Sequence, residues 1–127
     1  MFIPKALHYS KNHLWLRPVG LYEYFIGVTD YAQKQIGLIS SVNLQQCGNI
    51  AETNTLFGHI SGPNKTFPLI APIDGWIIAI NSILSHSPFN INEAPYTYWI
   101  LRIITDRHIS ISSLLNSQEY QELINDF

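Results

Sequence analysis

One lysine in this sequence lies where an enzyme could attach a group covalently to its amine. Lys65 ends a Gly62–Lys65 turn, and the apolar segments on either side, 56–60 and 66–70, predict the two arms of a β-hairpin. An amine at the tip of a hairpin is accessible to a modifying enzyme and can carry a group to several active sites. Because most lysines on turns are only solvated, this local pattern leaves a plain surface residue as the alternative.

The other reactive side chains lack the spacing of a catalytic or metal site. The single cysteine, Cys47, has no adjacent histidine or lysine, and one cysteine cannot form a disulfide within the chain. The five histidines lie on different predicted elements, without an i, i+4 pair on a helix, at His8, His13, His59, His86 and His108. The sequence contains no nucleophile elbow and no phosphate-binding glycine loop. We therefore expect neither a metal site nor an active site of the protein's own.

Composition narrows the class of protein further. The chain has 127 residues, of which 46% are hydrophobic and 13% charged, with a formal net charge of −2. This length predicts one domain, and the apolar content argues against disorder. The charge is too small for a strong nucleic-acid surface, and no apolar run approaches the ~20 residues that span a bilayer. We expect a cytoplasmic protein that binds neither nucleic acid nor membrane.

Short strands between frequent turns dominate the pattern. Alternating or β-branched segments predict strands over 13–17, 22–28, 38–44, 56–60, 66–70, 76–80 and 98–103. Thr29 and Gly37 have the positions of an N-cap and of the residue that ends a short helix.

The carboxyl-terminal segment has the period of a helix. Its apolar residues share one helical face, and Ser117 can cap it: Tyr120, Leu123, Ile124 and Phe127. The elements together predict a small antiparallel β-sandwich or barrel with short helices at its edges, with Trp15, Trp76 and Trp99 largely buried.

A short pattern around the lysine hairpin and several longer motifs each resemble a known class of protein. The lysine hairpin and the following segment 69–78, Leu-Ile-Ala-Pro-Ile-Asp-Gly-Trp-Ile-Ile, resemble a lipoyl- or biotinyl-carrier domain. Longer motifs resemble the H protein of the glycine cleavage system, and the most specific is Gly27–Gln33, which differs from the family's Gly-Ile-Thr-Asp-Tyr-Ala-Gln at one position. The other matching motifs are His8–Trp15, Ile36-Gly37, Gly48, Phe57-Gly58, Pro72, Gly75, Ser87-Pro88, Asn92-Glu93, Pro95-Tyr96, Trp99-Ile100 and Tyr120.

The resemblance implies a fold and a function. The fold would be mainly β (α+β), a small antiparallel barrel-sandwich hybrid of the lipoyl/biotinyl-carrier type with short peripheral helices and a carboxyl-terminal helix, in a single domain over 1–127. The function would be that of a non-catalytic carrier with covalently bound lipoate. A lipoate ligase would attach this arm, which would then take an aminomethyl group from glycine decarboxylase. The arm would pass the group to aminomethyltransferase and be reoxidised by dihydrolipoamide dehydrogenase.

The sequence departs from the family at the attachment site itself. The family lysine lies six residues after the Phe-Gly glycine and eight before the proline, and both counts reach Asn64, with Lys65 one residue further. The acidic neighbours of the family site are also replaced, by Ser61 before the turn and Pro68 after it. A displacement of one residue near a hairpin tip can turn a side chain toward the other face of the sheet.

Two interpretations therefore remain open at the level of sequence. In the first, Lys65 carries lipoate and the protein is a divergent H-type carrier. In the second, the chain is an H-protein paralogue that is not lipoylated and acts as an adaptor or regulatory binding protein, since a fold alone does not determine function.

Overall fold

The computed structural model describes residues 1–44, 50–106 and 113–125. The nine strands of these residues are β1 His8–Tyr9, β2 Leu14–Pro18, β3 Glu23–Val28, β4 Ser41–Leu44, β5 Ile50–Ala51, β6 Leu56–Ser61, β7 Thr66–Ile70, β8 Gly75–Ile80 and β9 Leu101–Ile104. The helices are α1 Asp30–Ile36, α2 Asn90–Glu93 and α3 Ser117–Asn125, with a 3₁₀ turn at Ser82–Ser85. No helix in these three ranges is long and apolar enough to cross a bilayer.

The strands form two antiparallel sheets. The larger sheet has the order β1-β2-β3-β9-β8-β5, and the smaller one has the order β4-β6-β7. Hence β6 and β7 form the predicted hairpin, with Ile60 opposite Phe67 and Ser61 opposite Thr66. The mainly β class and the antiparallel sandwich predicted from the sequence are confirmed, and the two sheets do not close into a barrel.

Two hydrophobic cores hold these layers together, and β2 contributes to both. Leu14 and Leu16 point into the main core, where they join Ile26, Ile60 and Leu69. The intervening Trp15 points the other way because successive side chains of a strand alternate between faces. It lies in a second core with Tyr9 of β1, and α3 closes this core with Tyr120 and Ile124.

Helix α1 begins and ends where the sequence predicts. The Thr29 hydroxyl accepts a hydrogen bond from the Ala32 amide at 3.2 Å, which satisfies one of the unpaired donors of the first turn. At the other end Gly37 adopts a φ of 84°, and its amide donates to the Gln33 carbonyl at 3.0 Å. A positive φ favours glycine, so the helix ends at this residue.

Two local predictions need correction. Strand β4 begins at Ser41 and not at Leu38, because residues 37–40 connect it to α1. Asn116 and not Ser117 caps α3: its Oδ1 accepts from the Glu119 amide at 2.8 Å, while Glu119 Oε1 accepts from the Asn116 amide at 2.9 Å. This reciprocal pair satisfies two backbone donors at once.

The three tryptophans differ in burial, whereas the sequence predicts that all three are largely buried. Trp15 is fully buried, as predicted, and Trp99 is half-buried. The prediction was wrong for Trp76, which is 45% exposed. This residue lies opposite Ile104 on one side and Ile50 on the other, and all three are exposed. They share the face of the sheet that points away from the main core.

The pairing of Trp15 with Gly27 provides a test of the second core. A Cβ atom at Gly27 would lie 2.5 Å from Cε2 and 2.7 Å from Nε1 of Trp15, whose indole N–H donates to the Pro95 carbonyl. We expect Gly27→Ala to lower the free energy of unfolding by about 2–3 kcal/mol, because overpacking forces the indole to move. Urea denaturation measures this change. In a Trp15→Ala background the same substitution should cost far less, and equal costs in both backgrounds would refute the steric explanation.

Candidate functional site

The tip of the β6–β7 hairpin is the exposed end of the smaller sheet. The Gly62 amide donates to the Lys65 carbonyl at 3.2 Å and closes the turn beyond the last strand pair. Pro63, Asn64, Lys65 and Thr66 are all exposed. The structure therefore places the candidate lysine in solvent at a hairpin tip, as the sequence predicts.

The carboxyl end of α1 supports the turn. The Asn64 amide donates to the Ile36 carbonyl at 3.1 Å, and this carbonyl belongs to the last helical turn, where main-chain acceptors lack a helical partner. A Cβ atom on Gly37 would lie 3.0 Å from Asn64 Nδ2 and 3.1 Å from Pro63 Cγ. On Gly62 it would lie 2.6 Å from the Ile36 carbonyl oxygen. Two glycines thus allow the turn and the helix end to pack backbone against backbone.

Asn64 and Lys65 have different neighbours although they are adjacent. The Asn64 amide group lies against Gly37, at the end of α1. Lys65 has the same strand parity as the buried residues Phe67 and Leu69, whereas Thr66 and Pro68 are exposed. The Lys65 charge also acts on His13, whose pKa it helps to lower. The shift of one residue therefore directs the amine toward the His13 side of the hairpin.

His13 lies in an aromatic and polar cluster beside the tip. Its ring centroid is 4.7 Å from that of Tyr31 and 6.2 Å from that of Phe67. Its Nδ1 lies 2.8 Å from the Tyr120 hydroxyl, which is 2.7 Å from Thr29 Oγ1. Burial is the larger cause of the lowered His13 pKa, and the Lys65 charge adds to it.

Tyr120 joins three parts of the structure at this cluster. Its hydroxyl contacts the β1–β2 turn through His13 and the cap of α1 through Thr29, while its ring stacks on Tyr9 at 4.8 Å. Burial raises the pKa of Tyr120, so the hydroxyl stays protonated and neutral at physiological pH. Its role is to anchor α3 against the elements that support the hairpin.

The sheet that carries the tip is nearly free of charge. Residues 37–44 and 53–73 contain one lysine, Lys65, and no arginine, aspartate or glutamate. The exposed neighbours of the turn include Leu38, which is 67% exposed, and the prolines Pro63 and Pro68. A partner that docks on this surface meets apolar and hydroxyl groups around a single cation.

The histidines and acidic residues of the described ranges do not form a metal site. In the three described ranges, no three His, Cys, Asp or Glu side chains are grouped as metal ligands. Cys47 and His108 lie outside the described residues. Among the histidines of the described ranges, His13 lies beside the tip. The support from α1 was not predicted from the sequence, although Gly37 was predicted to end that helix.

Three comparisons place the chain among known proteins. The family model described as "Glycine cleavage H-protein" matches residues 7–127. A glycine cleavage system H protein of Anoxybacillus flavithermus is 36% identical over 126 residues, which is 98% of each chain. The protein of the same name from Geobacillus kaustophilus is 35% identical over 127 residues, which is 99% of each chain.

A solved structure supports the fold independently of the sequence. The crystal structure of a glycine cleavage system H protein from Mycobacterium marinum matches with a TM-score of 0.84 at 24% identity, covering 98% of this chain and 100% of that one. The proteins of this family are lipoyl carriers without catalytic activity of their own, and they work with the enzymes of the glycine cleavage system. The motifs, the two-sheet fold and these matches show that the chain belongs to the glycine cleavage H-protein family.

Proposed function

We propose that the protein is a lipoyl carrier whose arm is attached at Lys65. The observation that carries the proposal is the exposed Lys65 amine at the hairpin tip, on a sheet with no other lysine. In the attachment step the neutral amine attacks the carbonyl of lipoyl-adenylate, a mixed anhydride, and the acyl–phosphate bond breaks. An amide forms, AMP leaves and one proton is released.

The proposed partners are those of the family. Glycine decarboxylase would load an aminomethyl group on the arm, aminomethyltransferase would remove it, and dihydrolipoamide dehydrogenase would reoxidise the dithiol. The chain offers no residue set for these reactions in its described part, so its contribution is to present the arm. The family membership and the exposed amine favour this function over an adaptor without an arm.

The small number of charges on the β4-β6-β7 sheet affects how these partners would bind. Attraction between charged surfaces accelerates association and is screened by salt. Around Lys65 the sheet supplies apolar and hydroxyl groups instead, with Leu38, Pro63 and Thr66 exposed. Recognition of the arm-bearing end therefore depends on shape and apolar contact more than on ion pairs.

The first test is acylation by a purified lipoate ligase with lipoic acid and ATP. We expect one lipoyl group per chain, and peptide mapping should place it on Lys65, because Lys65 is the amine that the turn exposes. Lys65→Arg keeps the charge but should abolish modification. Lys34→Arg, which changes an exposed lysine paired with Asp30 on α1, is the matched control and should leave modification unchanged. Modification at Lys34 would contradict the assignment.

A second test concerns the register of the lysine. The swap Asn64→Lys with Lys65→Ala restores the spacing of the family, and both positions are exposed, so it should change stability by less than about 0.5 kcal/mol. Because misplacement of a reacting atom by about 1 Å can cost ~100-fold in rate, we expect the swap to be acylated faster by the same ligase. Intact mass at matched times measures the acylated fraction. Equal or faster acylation of the unmutated chain would show that Lys65 is already presented correctly.

A third test uses His13 as a reporter of the Lys65 charge. A positive neighbour disfavours the charged imidazolium, so neutralising Lys65 should raise the pKa of His13 toward its usual value. We expect this rise in an NMR titration of Lys65→Gln and also after acylation of Lys65, which turns the ammonium into a neutral amide. Lys34→Gln is the control and should leave the titration of His13 unchanged. An unchanged His13 pKa in Lys65→Gln would mean that the lysine points away from this side.

A further inference from the structure

Asn92 lies behind the segment that supports the hairpin tip. From α2, its Nδ2 donates to the Gly37 carbonyl and to Gln33 Oε1, both at 2.8 Å. Its Oδ1 accepts from the Ile39 amide at 2.8 Å. One half-buried side chain thus uses both of its donors and an acceptor on α1 and the α1–β4 connection.

The opposite side of this connection carries the turn. The Ile36 carbonyl accepts from the Asn64 amide, and Gly37 contacts Pro63 and the Asn64 side chain. Gly62 is packed so closely against Ile36 that a Cβ atom would not fit. The connection is therefore held between Asn92 on one side and the Gly62–Lys65 turn on the other.

We propose that Asn92 is a positioning residue for the acylation of Lys65, an inference that rests on the proposed function. Asn92 fixes the peptide groups of Gly37 and Ile39, which flank the surface that the turn contacts. With these groups fixed, the Ile36 carbonyl is held toward the Asn64 amide, and the backbone of the next residue, Lys65, is fixed with it. The side chain acts through the connection and does not contact the lysine.

Removing the Asn92 side chain would break hydrogen bonds of α1 and of the α1–β4 connection. Truncation leaves the Gly37 carbonyl, the Ile39 amide and Gln33 Oε1 without their partner, and each unpaired, partly buried polar group is costly. Without these bonds the backbone of the connection can shift, and we expect the contact between the Ile36 carbonyl and the Asn64 amide to loosen. A tip lysine that moves by about 1 Å loses up to ~100-fold in the rate of its reaction.

The test compares Asn92→Ala with Asn81→Ala. Asn81 is the matched control because it is also half-buried and bonds two backbone groups, the Trp99 carbonyl and the Ile83 amide, which lie in other elements. The first readout is amide hydrogen exchange of Asn64 in the unmodified protein. We expect this exchange to accelerate at least ~10-fold in Asn92→Ala and to stay unchanged in Asn81→Ala, since it reports local opening.

The second readout is kcat/KM for acylation of Lys65 by a purified lipoate ligase. We expect a fall of at least ~10-fold in Asn92→Ala at a temperature where both variants are fully folded. If Asn92→Ala does not fold, Asn92→Asp replaces it, because a carboxylate keeps the acceptor for Ile39 but cannot donate to Gly37. Unchanged exchange at Asn64, or faster exchange with unchanged kcat/KM, would overturn the proposal. If the unmutated chain is not acylated at all, the proposed function fails, and so does any role for Asn92 in it, while the exchange data still show whether Asn92 holds the turn.

Discussion

The position of the hairpin tip depends on one backbone contact, the hydrogen bond from the Asn64 amide to the Ile36 carbonyl. A free hairpin end would move widely, whereas this bond joins the turn to the carboxyl end of α1. The contact requires α1 to end at Ile36, and the positive φ of Gly37 ends it there. It also requires Gly37 and Gly62 to lack side chains, because both face the contact. The helix therefore supports the tip.

The same contact explains why the shift of the lysine by one residue matters. Position 64, where the family has its lysine, uses its backbone to hold the turn and places its side chain against Gly37. Position 65 follows the parity of Phe67, and its charge acts on His13. The amine of this protein thus leaves the tip in a different direction, and its surroundings are neutral. We infer that its ligase and partner enzymes must accept this direction.

Local rules predicted much of this structure, and contacts distant in sequence were missed. The hairpin over 56–70, the Thr29 cap and the end of α1 at Gly37 each depend on a few adjacent residues, so propensity and turn chemistry sufficed. The approach of Tyr120 to His13, 107 residues away, depends on the packing of α3, and no local pattern encodes it. The exposure of Trp76 was missed for the same reason, since it depends on which sheet face is covered.

We propose above all that this chain carries lipoate at Lys65. The most direct measurement is intact mass spectrometry of the protein purified from its native organism, followed by mapping of the modified peptide. We expect a chain that is heavier by one lipoyl group, located on the peptide that contains Lys65. A chain with the unmodified mass, from cells in which other lipoyl proteins are modified, would contradict it.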